Sequence, residues 1–188
     1  MKELKLILSL ILLSIGLWGC QQGGKEEEFK SETSKKVTNS PTSKMPKDMP
    51  SDFDFSIQFG VQKKNEINTF KGTVTKDLIA DGTVTTELNL TKEEMEDIYE
   101  KMKEINIDET KKFTPEPING SVCLQEPFGE DAWEIIINGE TITQLLSEEY
   151  CEPTTDAKQL IELRDYVFNK IKGKGEYKSL PESKGGYE

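Results

Sequence analysis

The chain of 188 residues contains no histidine, and that absence removes the usual neutral-pH general base and the commonest transition-metal ligand. Serine–histidine triads and histidine-based zinc sites are therefore excluded. Cysteine is scarce, with three residues, and two of them without histidine are too few for a tetrahedral zinc site. Arginine occurs once, at Arg164. Cationic side chains number 24 against 35 Asp plus Glu, a formal net charge of -11, so a phosphate backbone is repelled by the mean field and nucleic acid is not an expected partner. Glycine-rich phosphate loops, the nucleophile elbow and the serine–lysine motif are all missing. The calcium-loop pattern is missing too: Asp77 and Asp81-Gly82 supply too few oxygens at the wrong spacing. No metal or cofactor is expected.

Long hydrophobic runs are also rare. The single one, Leu6 to Trp18, follows the basic start Met1-Lys2-Glu3-Leu4-Lys5. As a helix it would span about 20 Å, short of the roughly 30 Å that a permanent membrane crossing needs. Its position and flanks read as a secretory signal over residues 1–19. Residues 20–50 are rich in Lys, Glu, Ser, Thr and Pro and are expected to form a disordered tether. Met45 and Met49 fall in this strip; as a thioether pair they could suggest copper, but they are read as linker composition.

The whole chain is 34% hydrophobic, and its Phe, Ile, Leu and Val suffice for one modest core in the part from Ser51. Eight of the cationic and six of the acidic residues precede Ser51, which leaves 16 against 29 and a net charge of -13 on this part alone. Phe53, Phe55, Ile57, Phe59 and Val61 alternate with Asp54, Ser56, Gln58 and Gly60, the clearest strand signal in the chain. Ile67 to Leu78, with Phe70, Val74 and Leu78 on one face, and Thr83 to Leu90 complete an expected three-stranded meander. Thr91 and Glu94 form a capping box ahead of Met95, Ile98, Tyr99, Met102 and Ile105, one stripe of an amphipathic helix. The acids on its other side read as solvated surface, with a dock for a cationic partner as the alternative. Val122 to Gln125 is a candidate short strand. Trp133 to Ile137 and Glu140 to Leu145 flank Asn138-Gly139, a strong hairpin signal. Leu160, Ile161, Leu163, Val167, Phe168 and Ile171 define a second helix that stops at Gly173. The expected fold is α+β: a single antiparallel sheet of five or six strands, meander plus hairpin, with two amphipathic helices packed on one face. The acidic domain covers residues 51–173 and residues 174–188 are a peripheral tail.

Leu17-Trp18-Gly19-Cys20 resembles the lipobox of bacterial lipoproteins: Leu three places before the cysteine, a small residue before it, then Cys. The resemblance implies that the Cys20 thiol receives a diacylglycerol and that the peptide is cut before it. Two acyl chains are a stable anchor, at about 0.8 kcal/mol per buried methylene. More broadly, the lipobox, the tether, the Ser51-Asp52-Phe53-Asp54-Phe55 start of the domain and the Cys123, Trp133, Cys151 arrangement resemble small lipoproteins of Bacillus-type Gram-positive bacteria. That resemblance implies lipid attachment at Cys20 on the outer face of the plasma membrane and carries no activity with it.

With Cys20 assigned to lipid, Cys123 and Cys151 remain, and an even pair outside the cytoplasm favours a disulfide between the loops before and after the hairpin. Two inert thiols are the competing reading. A catalytic thiol is opposed by Glu148, Glu149 and Glu152, which disfavour a thiolate. Trp133 and Phe128, the latter between Pro127 and Gly129, are candidates for lining a small pocket, against the alternative of plain packing. The expected function is non-catalytic binding of a protein or cationic peptide. The alternative is a cell-envelope hydrolase using paired carboxylates such as Glu130 with Asp131 or Asp52 with Asp54.

Overall fold

A computed structural model describes residues 45–188; the signal segment, Cys20 and the tether through residue 44 lie outside the described residues. Six strands form one antiparallel sheet in the order β4-β3-β2-β1-β5-β6. They are β1 (Asp54–Gly60), β2 (Asn65–Asn68), β3 (Thr73–Asp77), β4 (Thr83–Glu87), β5 (Glu130–Ile137) and β6 (Glu140–Ser147). Between β4 and β5 lies helix α1 (Lys92–Glu104), and after β6 come α2 (Thr155–Lys172) and the short α3 (Gly175–Lys178). The α+β expectation thus holds, with six strands and both long helices on one face. None of the described helices is long and apolar enough to cross a membrane.

Alternation decides which face is covered. In β1, Phe55, Ile57 and Phe59 point inward and are buried, in register with Ile135, Trp133 and Asp131 of β5. Against them α1 lays Ile98, Tyr99 and Met102, and α2 lays Leu160, Leu163, Val167 and Ile171. Tyr99 meets Phe53 edge-on at 5.1 Å between ring centroids, and Phe168 meets Phe59 at 5.0 Å. The capping box forms as the sequence suggests: Glu94 N donates to Thr91 Oγ1 at 3.2 Å and Thr91 N to Glu94 Oε2 at 2.8 Å. Asn138 and Gly139, both at positive φ, make the two-residue turn between β5 and β6, consistent with the right-handed twist of a tight hairpin.

Four local expectations give way. The strand expected over Ile67–Leu78 is two strands, β2 and β3, so the meander has four strands. Asn68 Oδ1 accepts from Lys71 N at 3.0 Å and Gly72 adopts φ +61, a side-chain-driven turn that leaves Phe70 40% exposed. Val122–Gln125 is not a strand; a lone bridge joins Leu124 to Tyr150, because its apolar side chains have no layer to face. The end of the expected tether belongs to the folded part: Met45 is buried, Met49 packs on the core, and Tyr99 Oη donates to Pro46 O at 2.8 Å. The tail lies at the periphery but is tied down. Ala80 N donates to Lys184 O and Lys184 N to Leu78 O, both at 3.1 Å, and the Tyr187 hydroxyl donates to the Asp77 carboxylate.

Candidate functional site on the open face of the sheet

The pleat that turns the aromatics inward turns a polar set outward, and no helix among the described residues covers it. Along β1 this set is Asp54, Ser56 and Gln58; their register partners on that face are Ile136, Glu134 and Ala132 of β5, and Asn68 and Glu66 of β2. Thr73, Thr75, Thr83, Thr85 and Glu87 continue it across β3 and β4, where the Thr75 and Thr85 hydroxyls lie 2.8 Å apart in a hydrogen bond. Thr141, Thr143 and Leu145 continue it on β6, with Leu145 67% exposed. At the centre is a shallow depression of about 450 Å³ bordered by Ser56, Gln58, Glu66, Phe70, Glu134 and Leu145, among others. Asn68 Nδ2 donates to Glu66 Oε1 at 2.9 Å and fixes that carboxylate at the rim.

One cation, Lys71, also borders the depression, but among the described residues it makes no ion pair with the acids of this face. Asp54, Glu66, Glu87 and Glu134 take part in none of the ion pairs among the described residues. Helix α1 differs: Glu94 pairs with Lys174, Asp97 with Lys170, Glu96 with Lys92, Glu100 with Lys103 and Glu104 with Lys101. The acidic stripe that the sequence offers as an alternative dock is therefore largely neutralised in place. The open sheet face, whose carboxylates are spread over four strands and so form no run in the sequence, keeps four acids outside the ion pairs among the described residues.

The other carboxylate candidates separate. Glu130 and Asp131, being adjacent on β5, point to opposite faces; Glu130 pairs with Lys63 at 3.1 Å. Asp52 accepts from Asn138 N at 3.0 Å and Gly139 N at 2.6 Å, and so braces the hairpin turn, while Asp54 faces outward. Asp131 is enclosed beneath α2. Its Oδ1 accepts from Arg164 Nη1 at 2.9 Å, the same guanidinium nitrogen also bonds Glu148, and Oδ2 has no partner. Burial raises the Asp131 carboxyl to about 6; Arg164 pulls it down, and Glu148 and Asp165 push it up again. Burial works against the Arg164 charge, but Asp131 and Glu148 together raise its value. This cluster locks α2 to the inner face; Glu148 also borders a small cavity of about 250 Å³ beside the disulfide, whose lining includes neither Asp131 nor Arg164.

Cys123 and Cys151 form the expected disulfide, with 5.4 Å between Cα atoms. Around it Gln125 N donates to Glu149 O at 2.8 Å and Cys151 N to Cys123 O at 3.1 Å, which holds the two loops side by side. Trp133 and Phe128 do not share a pocket. Trp133 is 1% exposed and stacks at 6.5 Å on Phe55 in the core, whereas Phe128 sits half-buried in the loop before β5. The alternation that makes Trp133 inward-facing was the available signal for this. Among the described residues no cluster of three or more His, Cys, Asp or Glu is placed to hold a metal ion. No protein-family model matches the chain, and comparison with curated proteins finds no relative.

Proposed function

We propose that the protein is a lipid-anchored domain on the outer face of the plasma membrane that works by binding a protein or cationic peptide partner, without catalysing a reaction. The observation that carries the binding half is the uncovered sheet face with Asp54, Glu66, Glu87 and Glu134 outside any ion pair. A field of one sign on an accessible surface raises the local concentration and the association rate of oppositely charged partners and repels nucleic acid. The anchoring half is supported by Leu17-Trp18-Gly19-Cys20 and by the disulfide, a linkage that persists in oxidising compartments.

Two measurements test the halves separately. The intact mass of the chain from the membrane fraction is expected to correspond to a form that begins at Cys20 and carries a diacylglycerol; an uncut precursor, or a cut form without the fatty mass, refutes the anchor. A Lys-rich synthetic peptide is expected to bind the detergent-solubilised chain and to weaken steeply between about 0.05 and 0.5 M salt, as the screening length shrinks. Absent or salt-insensitive binding refutes the acidic face as the contact surface.

A further inference from the structure

The open face ends at β6, and among the described residues nothing pairs with the outer edge of β6. Its sequence, Glu-Thr-Ile-Thr-Gln-Leu-Leu-Ser, pairs with β5 over eight consecutive positions without a bulge. The two-residue turn makes Ile137 and Glu140 a hydrogen-bonded pair, and in an antiparallel ladder such pairs alternate with non-bonded ones. Glu140, Ile142, Gln144 and Leu146 therefore direct their backbone groups at β5, whereas Thr141, Thr143 and Leu145 direct theirs away from the sheet. No other backbone among the described residues pairs with those three. Gln144 Nε2 ties the strand's inner side to Ile107 O at 2.8 Å and leaves the edge alone. Proteins blunt exposed edges with lysine, proline, bulges or short strands, and β6 has none of these. The opposite edge, β4, is five residues long and has α3 packed against it.

We propose that β6 accepts an added strand from a basic partner polypeptide, which extends the sheet by main-chain pairing at Thr141, Thr143 and Leu145. This rests on the binding function proposed above and specifies its mode. The side-chain requirement follows from the register. The hairpin Glu130–Ser147 holds four carboxylates and no cation; Lys63 and Arg164 neutralise Glu130 and Asp131, which leaves Glu134 and Glu140. Glu134 lies opposite Thr143 on the open face, so a Lys or Arg placed beside Thr143 on the added strand is about 10 Å from the β5 backbone, within reach of that carboxylate. An apolar residue beside Leu145 would cover its exposed side chain. Basic and apolar side chains on one face of an extended peptide are thus the fitting pattern. A second copy of the chain fits worse, because it brings a second domain of net charge -13 to the same edge.

The test is hydrogen exchange on the full chain in detergent, with a synthetic peptide alternating Lys and Val, a Glu–Val counterpart and an N-methylated Lys–Val version that lacks pairing amides. The Lys–Val peptide is expected to slow exchange across residues 140–147 by about tenfold or more; the other two are not. Thr143→Pro removes an outward N–H at a place where an edge strand tolerates proline, and is expected to weaken binding about tenfold. Leu145→Lys, on an exposed side chain, does the same by charge and serves if the proline variant misfolds. Salt-sensitive peptide binding that leaves residues 140–147 unprotected, or equal binding of the N-methylated peptide, overturns the strand addition while the acidic face still binds. No salt-sensitive binding of any basic peptide overturns both. Self-association that Thr143→Pro abolishes would assign the edge to a second copy and overturn the peptide.

Discussion

Replacing Asp131 by Asn should flatten the dependence of stability on pH between about pH 4 and 6. The ordinary carboxyl value of 3.8 rises to about 6 in the folded state, chiefly because the side chain is enclosed. A group whose folded value exceeds its unfolded one holds its proton more tightly when folded. Its contribution is therefore complete below about pH 4 and is lost as pH climbs through about 6. The rise from 3.8 to about 6 corresponds to about 3 kcal/mol lost across that window. Asn keeps the shape and removes the titration, and Arg164 is not left alone, since Glu148 and Asp165 still bond it. Urea unfolding of both chains, disulfide intact, at intervals from pH 4 to 7.5 gives the comparison. The difference in unfolding free energy, wild type minus variant, is expected to fall by about 3 kcal/mol as pH rises. Carboxylates away from this cluster are common to both chains and cancel in the difference, which reports Asp131 together with its neighbours Glu148 and Asp165. Parallel curves would show that Arg164 fully offsets the burial of Asp131, and burial would not be what sets this carboxyl.

Replacing Cys123 and Cys151 together by Ser opens a 28-residue loop and should lower stability by about 3 to 4 kcal/mol in the chain-entropy account, read as a shift of the urea midpoint; an unchanged midpoint would mean that the loops hold together without the bond. Truncation after Gly173 removes the Tyr177 ring, stacked edge-on at 5.6 Å against Phe168, and the Ser183 and Tyr187 hydroxyls that bond Asp77. A loss of about 2 to 4 kcal/mol is expected by the same measurement, and a loss below about 0.5 kcal/mol would make the tail dispensable.

What the sequence made legible was what is decided within a few residues. The alternation from Phe53 to Val61, the Thr91–Glu94 box and the Asn138-Gly139 turn each carry their own geometry, and β1, α1 and the hairpin follow them. The break at Phe70 is masked in the sequence, because an apolar residue at strand spacing stands between Asn68 and Gly72, the two that make the turn. Met45 docks because of where α1 lies in space, which its polar neighbours in sequence do not reveal. Asp131 and Arg164 are 33 positions apart, so their pairing is a tertiary fact. Even so, Asp131 has the inward parity of Trp133, Ile135 and Ile137, and an acid at that parity in a chain with one arginine was a usable clue. The edge is the least legible feature of all. An alternating segment such as Thr141 to Leu146 reads the same whether it lies in the middle of a sheet or at its limit. Strand order alone makes β6 terminal, and among the described residues it thereby leaves three backbone positions unpaired beside Glu134, which is in no ion pair. Main-chain pairing and charge are thus available together at one side of the domain, a coincidence that arises only once the hairpin has added to β1.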